Sequence, residues 1–305
     1  MGVDLGYKES FGYLSSFDRI HSFSWDKVLS LSRYLNYERG YVVFNKLVGS
    51  ISEDPQFFLG VCAVISLAPI FYVIYKKSVD VTLSTFIYLG LPSFLILFSG
   101  LRQAIAIGLC FLSLLLIEKK KPLLFALLVL LASSFHSSAL LFLFAYPAYF
   151  IKLNKSWRIV SVLLLAVVFG FRASIFPLLC RWFGYGDAVM DNNGAILLFL
   201  VFTAVYVYGF LLDNDHNQGY LNLFYIACFC QAMAGLHSTV IRIGYYYMLA
   251  LVLFLPQVIK NTKDDTLRTL SKIAIPLCFI LFSLYSLQSS SWAETYPYYW
   301  FWQTI

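Results

Sequence analysis

The sequence predicts an all-α, polytopic integral membrane helical bundle, and three observations carry that reading. Of the 305 residues, 60% are apolar and only 12% are charged. The mean hydropathy is +0.75. The apolar residues run in continuous blocks rather than in alternation. A soluble domain of this length has no interior large enough for so much apolar surface. In hydrocarbon every backbone amide must be satisfied within the chain, which leaves helices or a closed barrel, and a barrel needs alternating apolar and polar positions.

A crossing takes roughly 20 apolar residues. Runs of that kind lie near residues 56–75, 82–99, 101–117, 157–171, 195–212, 220–235, 243–259 and 273–287. Between residues 122 and 151 the run is interrupted by Ser133, Ser134, His136, Ser137 and Ser138. That interruption predicts two short helices meeting near His136 at a polar pocket, a geometry allowed where protein or water covers the break. The total is about ten membrane helices. Three regions follow: an N-terminal segment over 1–55, the bundle over 56–289 and an aromatic tail over 290–305.

Orientation follows from the positive-inside rule. Lys76, Lys77, Lys119, Lys120, Lys121, Lys152, Lys155, Arg158, Lys260, Lys263, Arg268 and Lys272 fall at alternate loops, which marks that side as cytoplasmic and puts the N-terminal segment and the tail outside. Beyond the N-terminal segment, the outer cations are Arg102, Arg172, Arg181 and Arg242, with no lysine among them. A guanidinium grips phosphate or carboxylate through a planar fork, so their persistence outside points to an anionic ligand. The plainer reading, a structural partner or a lipid headgroup, weighs most for Arg172 and Arg181. No signal peptide or span lies in residues 1–55, so an upstream membrane helix is expected, and MGVDLG lacks the Ser or Thr of a myristoylation signal. The six cysteines have no histidine at metal-ligand spacing and read as small core hydrophobes. The 19% aromatic share suits both membrane interfaces and sugar stacking.

The outer polar groups are Asp4, Tyr7, Glu38, Arg39, Tyr41, Arg102, Gln103, His136, residues 172–191, His237 and Arg242. Arg102 sits in FSGLRQAIAIGL at the start of a helix, where the N-terminal amides add partial positive charge. His136, in LASSFHSSALLF, has the chemistry to bond a sugar hydroxyl or phosphate or to shuttle a proton, and equally to cap a helix. Arg242 precedes a span, and Tyr245, Tyr246 and Tyr247 follow it as substrate contacts or as an interfacial belt. The loop DNDHNQG reads as solvated, and the tail with Glu294 rests at the interface or lines a sugar site.

Asp4 with Tyr7, ERGY at Glu38–Tyr41, GLRQAIAIGL around Arg102, SSFHSSAL around His136 and IRIGYYYMLALVLFLP around Arg242 occur in an order that resembles the EpsG/Wzy-type bacterial polysaccharide polymerases. The resemblance covers nearly the whole chain, with RQAIA and FHSSA its most specific parts, and such proteins carry one further N-terminal membrane helix. It implies a membrane glycosyltransferase joining undecaprenyl-diphosphate-linked oligosaccharide repeat units, donor to acceptor, outside the bacterial cytoplasmic membrane, to extend exopolysaccharide or O-antigen. The implied partners are the lipid bilayer, chain-length regulator proteins and flippase proteins, with no nucleic acid, no cofactor and no metal.

The expected catalytic residues are Arg102, His136, Arg242, Asp4 and Glu38, with Gln103, Tyr7, Tyr41, Arg172, Tyr245 and Tyr246 as substrate contacts. The arginines absorb charge on a departing diphosphate, and Asp4, Glu38 or His136 takes the acceptor proton. Two other classes compete: a transporter or flippase for the lipid-linked oligosaccharide, and a non-catalytic subunit of a secretion complex. Against transport, no inverted or tandem repeat of spans is visible and the polar residues gather on one side.

Overall fold

The structure, a computed structural model, describes residues 12–31, 33–34, 36–183, 194–212, 217–234 and 238–289, the side chains of 33, 175–183, 194–195, 238–239 and 287–289 excepted. The all-α bundle is what the composition predicts. Among the described residues four helices are long and apolar enough to cross a membrane, or up to six if each of two bent pairs counts as one span. Large apolar side chains face outward along them, including Val64, Leu163, Phe171 and Leu281, the surface that hydrocarbon covers and water does not tolerate.

Two compact units divide the chain. The first comprises residues 1–76, 85–143 and 274–305. It opens with α1 (Tyr13–His21), α2 (Trp25–Ser30), an antiparallel hairpin of β1 (Arg33–Tyr34) and β2 (Tyr37–Glu38), and α3 (Arg39–Gly49). These elements close over α4 (Pro55–Lys77). Phe17, Tyr41, Phe44 and Val48 share one buried cluster with Phe58, Leu59 and Cys62 of α4 and with Leu101 and Ile105 farther along the chain. Phe17 and Phe58 stack with ring centroids 4.4 Å apart. Segment 1–55, expected only as an outer segment, is thus in its described part a packed helical subassembly.

Next come α5 (Val81–Leu89), α6 (Pro92–Ser99), α7 (Leu101–Glu118) and α8 (Pro122–Ser133), followed by a 3-10 stretch over Ser137–Phe144 and α9 (Ala145–Phe150). The expected short pieces either side of His136 are α8 and the 3-10 stretch with α9. Helix α7 is the most enclosed of the candidate spans, with 67% of its apolar window buried. It approaches α4 at Gly108, where an added Cβ would lie 2.5 Å from the Ser66 carbonyl oxygen, the close backbone contact that small residues permit between membrane helices.

The second unit comprises residues 77–84 and 144–273. It holds α10 (Lys155–Phe183), α11 (Gly194–Leu212), α12 (Gln218–Ala232), α13 (Ser238–Met248), α14 (Ala250–Asn261) and the first turns of α15 (Asp265–Ser289). Helix α12, expected as a crossing over 220–235, is a 15-residue helix. It packs against α9, α10, α11, α13 and α14, so its length answers to its neighbours rather than to the bilayer. Four helix starts carry acidic or amide caps: Asp54 accepts from the Gln56 amide, Asp80 from Leu83, Asn154 from Trp157 and Asp264 from Leu267, supplying acceptors that a first turn lacks.

Two runs read as single spans are bent. Residues 82–99 break into α5 and α6 at an angle of 58°. Leu91 adopts φ −86° and ψ 146°, the extended geometry that Pro92 imposes on its predecessor. Residues 243–259 break into α13 and α14 at 45°. Pro256, inside α14, has no N–H for the Val252 carbonyl. The buried Ser84 hydroxyl donates to that carbonyl at 2.7 Å instead. Cys62, Cys110, Cys228 and Cys230 are buried as expected, whereas Cys278 lies on the exposed face of α15.

Replacing Ser84 by alanine strands the Val252 carbonyl in an apolar setting, a loss of about 1–3 kcal/mol. Chemical denaturation of the purified protein in detergent checks this, and an unchanged midpoint would show that the carbonyl needs no donor.

Candidate functional site

The first unit gathers three of the expected residues at one point. Asn36 holds the hairpin turn with φ 64°, a left-handed backbone that asparagine tolerates. The turn leads through Tyr37 to Glu38, which directly precedes α3. Helix α3 is seated by its own backbone: the Tyr41 amide donates to the Ser134 carbonyl at 3.2 Å. A Cβ on Gly40 would fall 2.2 Å from the Ser134 hydroxyl, so only glycine permits that approach. Glu38 is thereby held opposite the junction of α8 and the 3-10 stretch, where the Ser137 amide donates to its Oε1 at 2.9 Å.

Arg102 reaches the other carboxylate oxygen from the first turn of α7, with Nη1 at 2.5 Å from Glu38 Oε2. The same nitrogen donates to the Asn36 carbonyl at 3.2 Å, and the guanidinium carbon lies 4.7 Å from the centre of the Tyr37 ring. His136 places Nδ1 3.7 Å from Glu38 Oε1. The side chains of Arg102, Glu38 and His136 are 17%, 12% and 18% exposed, sheltered but open to a ligand. Tyr37 is itself fixed by a bond from the Ser16 hydroxyl at 3.3 Å and by stacking on Tyr13 at 5.9 Å.

Burial raises the cost of charge on Glu38, but the Ser137 amide, the Arg102 guanidinium and His136 outweigh it and hold the carboxyl below its ordinary value of 4.5. The group is an anion at neutral pH. Because its proton affinity is lowered on folding, the clasp contributes its full stability above that ordinary value and loses it as pH falls through the lower folded one.

The other expected residues lie elsewhere. Gln103 is buried on α7, 3% exposed. Tyr41 is fully buried, with its ring edge-on to Tyr13 and Tyr37, and burial pushes its hydroxyl well above the ordinary tyrosine value. In the second unit, Arg172 lies over the Phe169 ring at 3.9 Å, and Arg242 is exposed on α13. Tyr245, Tyr246 and Tyr247 belong to the buried core of that unit rather than to an exposed belt. Asp4, Tyr7, His237, the Arg181 side chain, the loop at 213–216 and the tail at 290–305 fall outside the described residues. Sequence reading missed Asn36, Tyr37 and the Ser137 amide. Asn36, a residue suited to a left-handed turn between two tyrosine-bearing stretches, was the available signal. Among the described residues no three His, Cys, Asp or Glu side chains gather as a metal centre.

Comparison with protein-family models gives a match to the EpsG family over residues 5–300. Comparisons with curated proteins and with solved structures return no match. The family match runs through Glu38, Arg102 and His136 and through all the candidate spans. The chain therefore belongs to the EpsG family and is a multi-pass membrane protein of polysaccharide-polymerase type.

Proposed function

We propose that this protein is a polysaccharide polymerase: a glycosyltransferase that joins undecaprenyl-diphosphate-linked oligosaccharide repeat units on the outer side of the bacterial cytoplasmic membrane. Residues 1–55 and the tail face outward in this reading, and the bundle over 56–289 spans the bilayer. The observation that carries the proposal is the meeting of a cation, a carboxylate and an imidazole, Arg102, Glu38 and His136, from three distant stretches of chain.

The three groups divide the work of a single displacement. The acceptor hydroxyl attacks the anomeric carbon of the donor sugar as the bond from that carbon to the diphosphate oxygen breaks. The hydroxyl proton passes to the imidazole of His136, and the electron pair leaves with the diphosphate. Glu38, an anion beside Nδ1, orients the ring and stabilises the imidazolium, as a carboxylate does for a histidine base. Arg102 and the first-turn amides of α7 are the donors for the developing negative charge. Arg242, on α13 of the second unit, is assigned to the anionic carrier by the family resemblance. The chemistry asks for no cofactor.

Purified protein given a synthetic undecaprenyl diphosphate oligosaccharide is expected to make longer chains and to release the free carrier. Relocation of the lipid without elongation would instead identify a transporter. Arg102→Ala lowers turnover about 100- to 1000-fold with insertion intact, and Arg242→Ala also abolishes elongation; normal chain length in either variant removes that residue's role. His136→Ala lowers the rate by about two to four orders of magnitude, whereas a cap without a chemical role would leave it nearly unchanged. Glu38→Gln removes the component of stability that the native protein loses on acidification below pH 4.5. Parallel acid titrations of the unfolding temperature check this, and coincident curves for the two proteins would show that the clasp contributes nothing.

A further inference from the structure

Arg158 is a charge buried without a counter-charge. It lies in the candidate span Lys155–Ser174 and is 4% exposed. Nη1 donates to the Tyr206 hydroxyl at 3.3 Å. Nη2 is buried and meets no acceptor, and among the described residues no carboxylate pairs with the guanidinium. A guanidinium taken out of water without an anion is strongly unfavourable, and a charge held inside a membrane span marks a site rather than a filler.

The surroundings hold the guanidinium in place, and the Ser161 hydroxyl donates to the Arg158 carbonyl at 2.6 Å. Three helices of the second unit converge there: Ser161 Oγ on α10 and Tyr206 Oη on α11 lie 2.9 Å apart, and Tyr225 on α12 donates to the Ser161 carbonyl at 3.1 Å. Ser161 and Tyr206 are buried with Arg158. The arginine belongs to the first turn of a helix of 29 residues, the end at which the helix dipole is positive. Lys152 and Lys155 flank it in the chain. On the outer face at the same level, Trp157, Ile159 and Val160 are about half exposed or more, at 60%, 54% and 47%. Apolar side chains beside a basic pocket at the lysine-bearing end of a bundle meet a lipid at the depth of its headgroup.

We propose that Arg158, held by Tyr206 and Ser161, binds the phosphate of an anionic phospholipid through Nη2, supplying the guanidinium with its missing charge partner. The phosphate oxygens accept from Nη2, and Lys152 and Lys155 form the rim. A lipid is favoured over the free ion because its phosphate already resides at this depth, beside the exposed apolar face. This site is separate from the Glu38, Arg102 and His136 cluster, and its test does not depend on polymerase activity.

The full chain is reconstituted in nanodiscs of phosphatidylcholine alone or mixed with phosphatidylglycerol, and its unfolding temperature is read. The native protein is expected to unfold higher in the anionic mixture. Arg158→Met loses that increment and, in phosphatidylcholine alone, is at least as stable as the native protein, because an uncompensated charge has been removed. Arg158→Lys keeps part of the increment. Inorganic phosphate added to phosphatidylcholine nanodiscs separates the sources: no shift with the native protein assigns the site to the lipid, and a shift absent in Arg158→Met assigns it to the free ion. Retention of the increment by Arg158→Met, or an equal loss of stability in both nanodiscs, overturns the proposal, the first by tracing the effect to surface lysines and the second by giving Arg158 a purely structural role.

Discussion

A carboxylate sheltered from water at the end of a membrane bundle survives as an anion only where donors are brought to it, and Glu38 is served from two directions. One oxygen takes a guanidinium hydrogen bond from the start of α7, and the other takes a backbone amide from beyond α8. Neither donor is near in sequence. With α3 seated on Ser134 by its own backbone, the clasp fixes the aim of Arg102 across the Tyr37 ring and the place of His136. The packed aromatic cluster beneath, with Phe17, Tyr41 and Phe58, supplies the rigid footing. A charge-assisted contact between distant segments gives direction, and burial of rings gives stiffness.

Legibility in the sequence followed the strength of each physical signal. A run of apolar residues long enough for a bilayer is its own announcement, so α4 and α7 match their runs closely, while α10 and α15 contain theirs and extend beyond them. The polar interruption around His136 was equally plain. The bends were not: Pro92 marks the first, but the second falls between Met248 and Ala250, away from Pro256 inside α14. Only the extended backbone of Leu91 and the hydroxyl of Ser84 against Val252 reveal what Pro92 and Pro256 do. Arg102, His136 and Glu38 were recognisable by type and by their setting. Their meeting was not, since it depends on a hairpin of two-residue strands and on a backbone contact at Gly40, both too short to leave a periodic pattern. The ring neighbours of Tyr41 were equally hidden, since Tyr13 and Tyr37 meet it only in the fold.

The interruptions in this bundle share a logic. Each place where a helix stops or bends frees backbone groups that hydrocarbon cannot satisfy, and in several of them another part of the same unit supplies the partner. Ser84 serves Val252. The Asn222 amide donates to the carbonyls of Ala148 and Ile151 where α9 ends. At the junction after α8, the partner of the Ser137 amide is Glu38 itself. There the repair of a broken helix and the assembly of the candidate site are one event.

The unequal enclosure of the spans bears on how this chain tolerates change. Helix α7 hides two thirds of its apolar window, whereas α10 and α15 each hide 22%. A residue on α7 is confronted by protein on most sides and must match it in shape. Over much of α10 and α15 the neighbour is fluid hydrocarbon, which enforces oiliness and length but is indifferent to the outline of a side chain. Sequence drift should therefore be fast and conservative in character along the outer faces of α10 and α15, and slow along α7, the helix that carries Arg102.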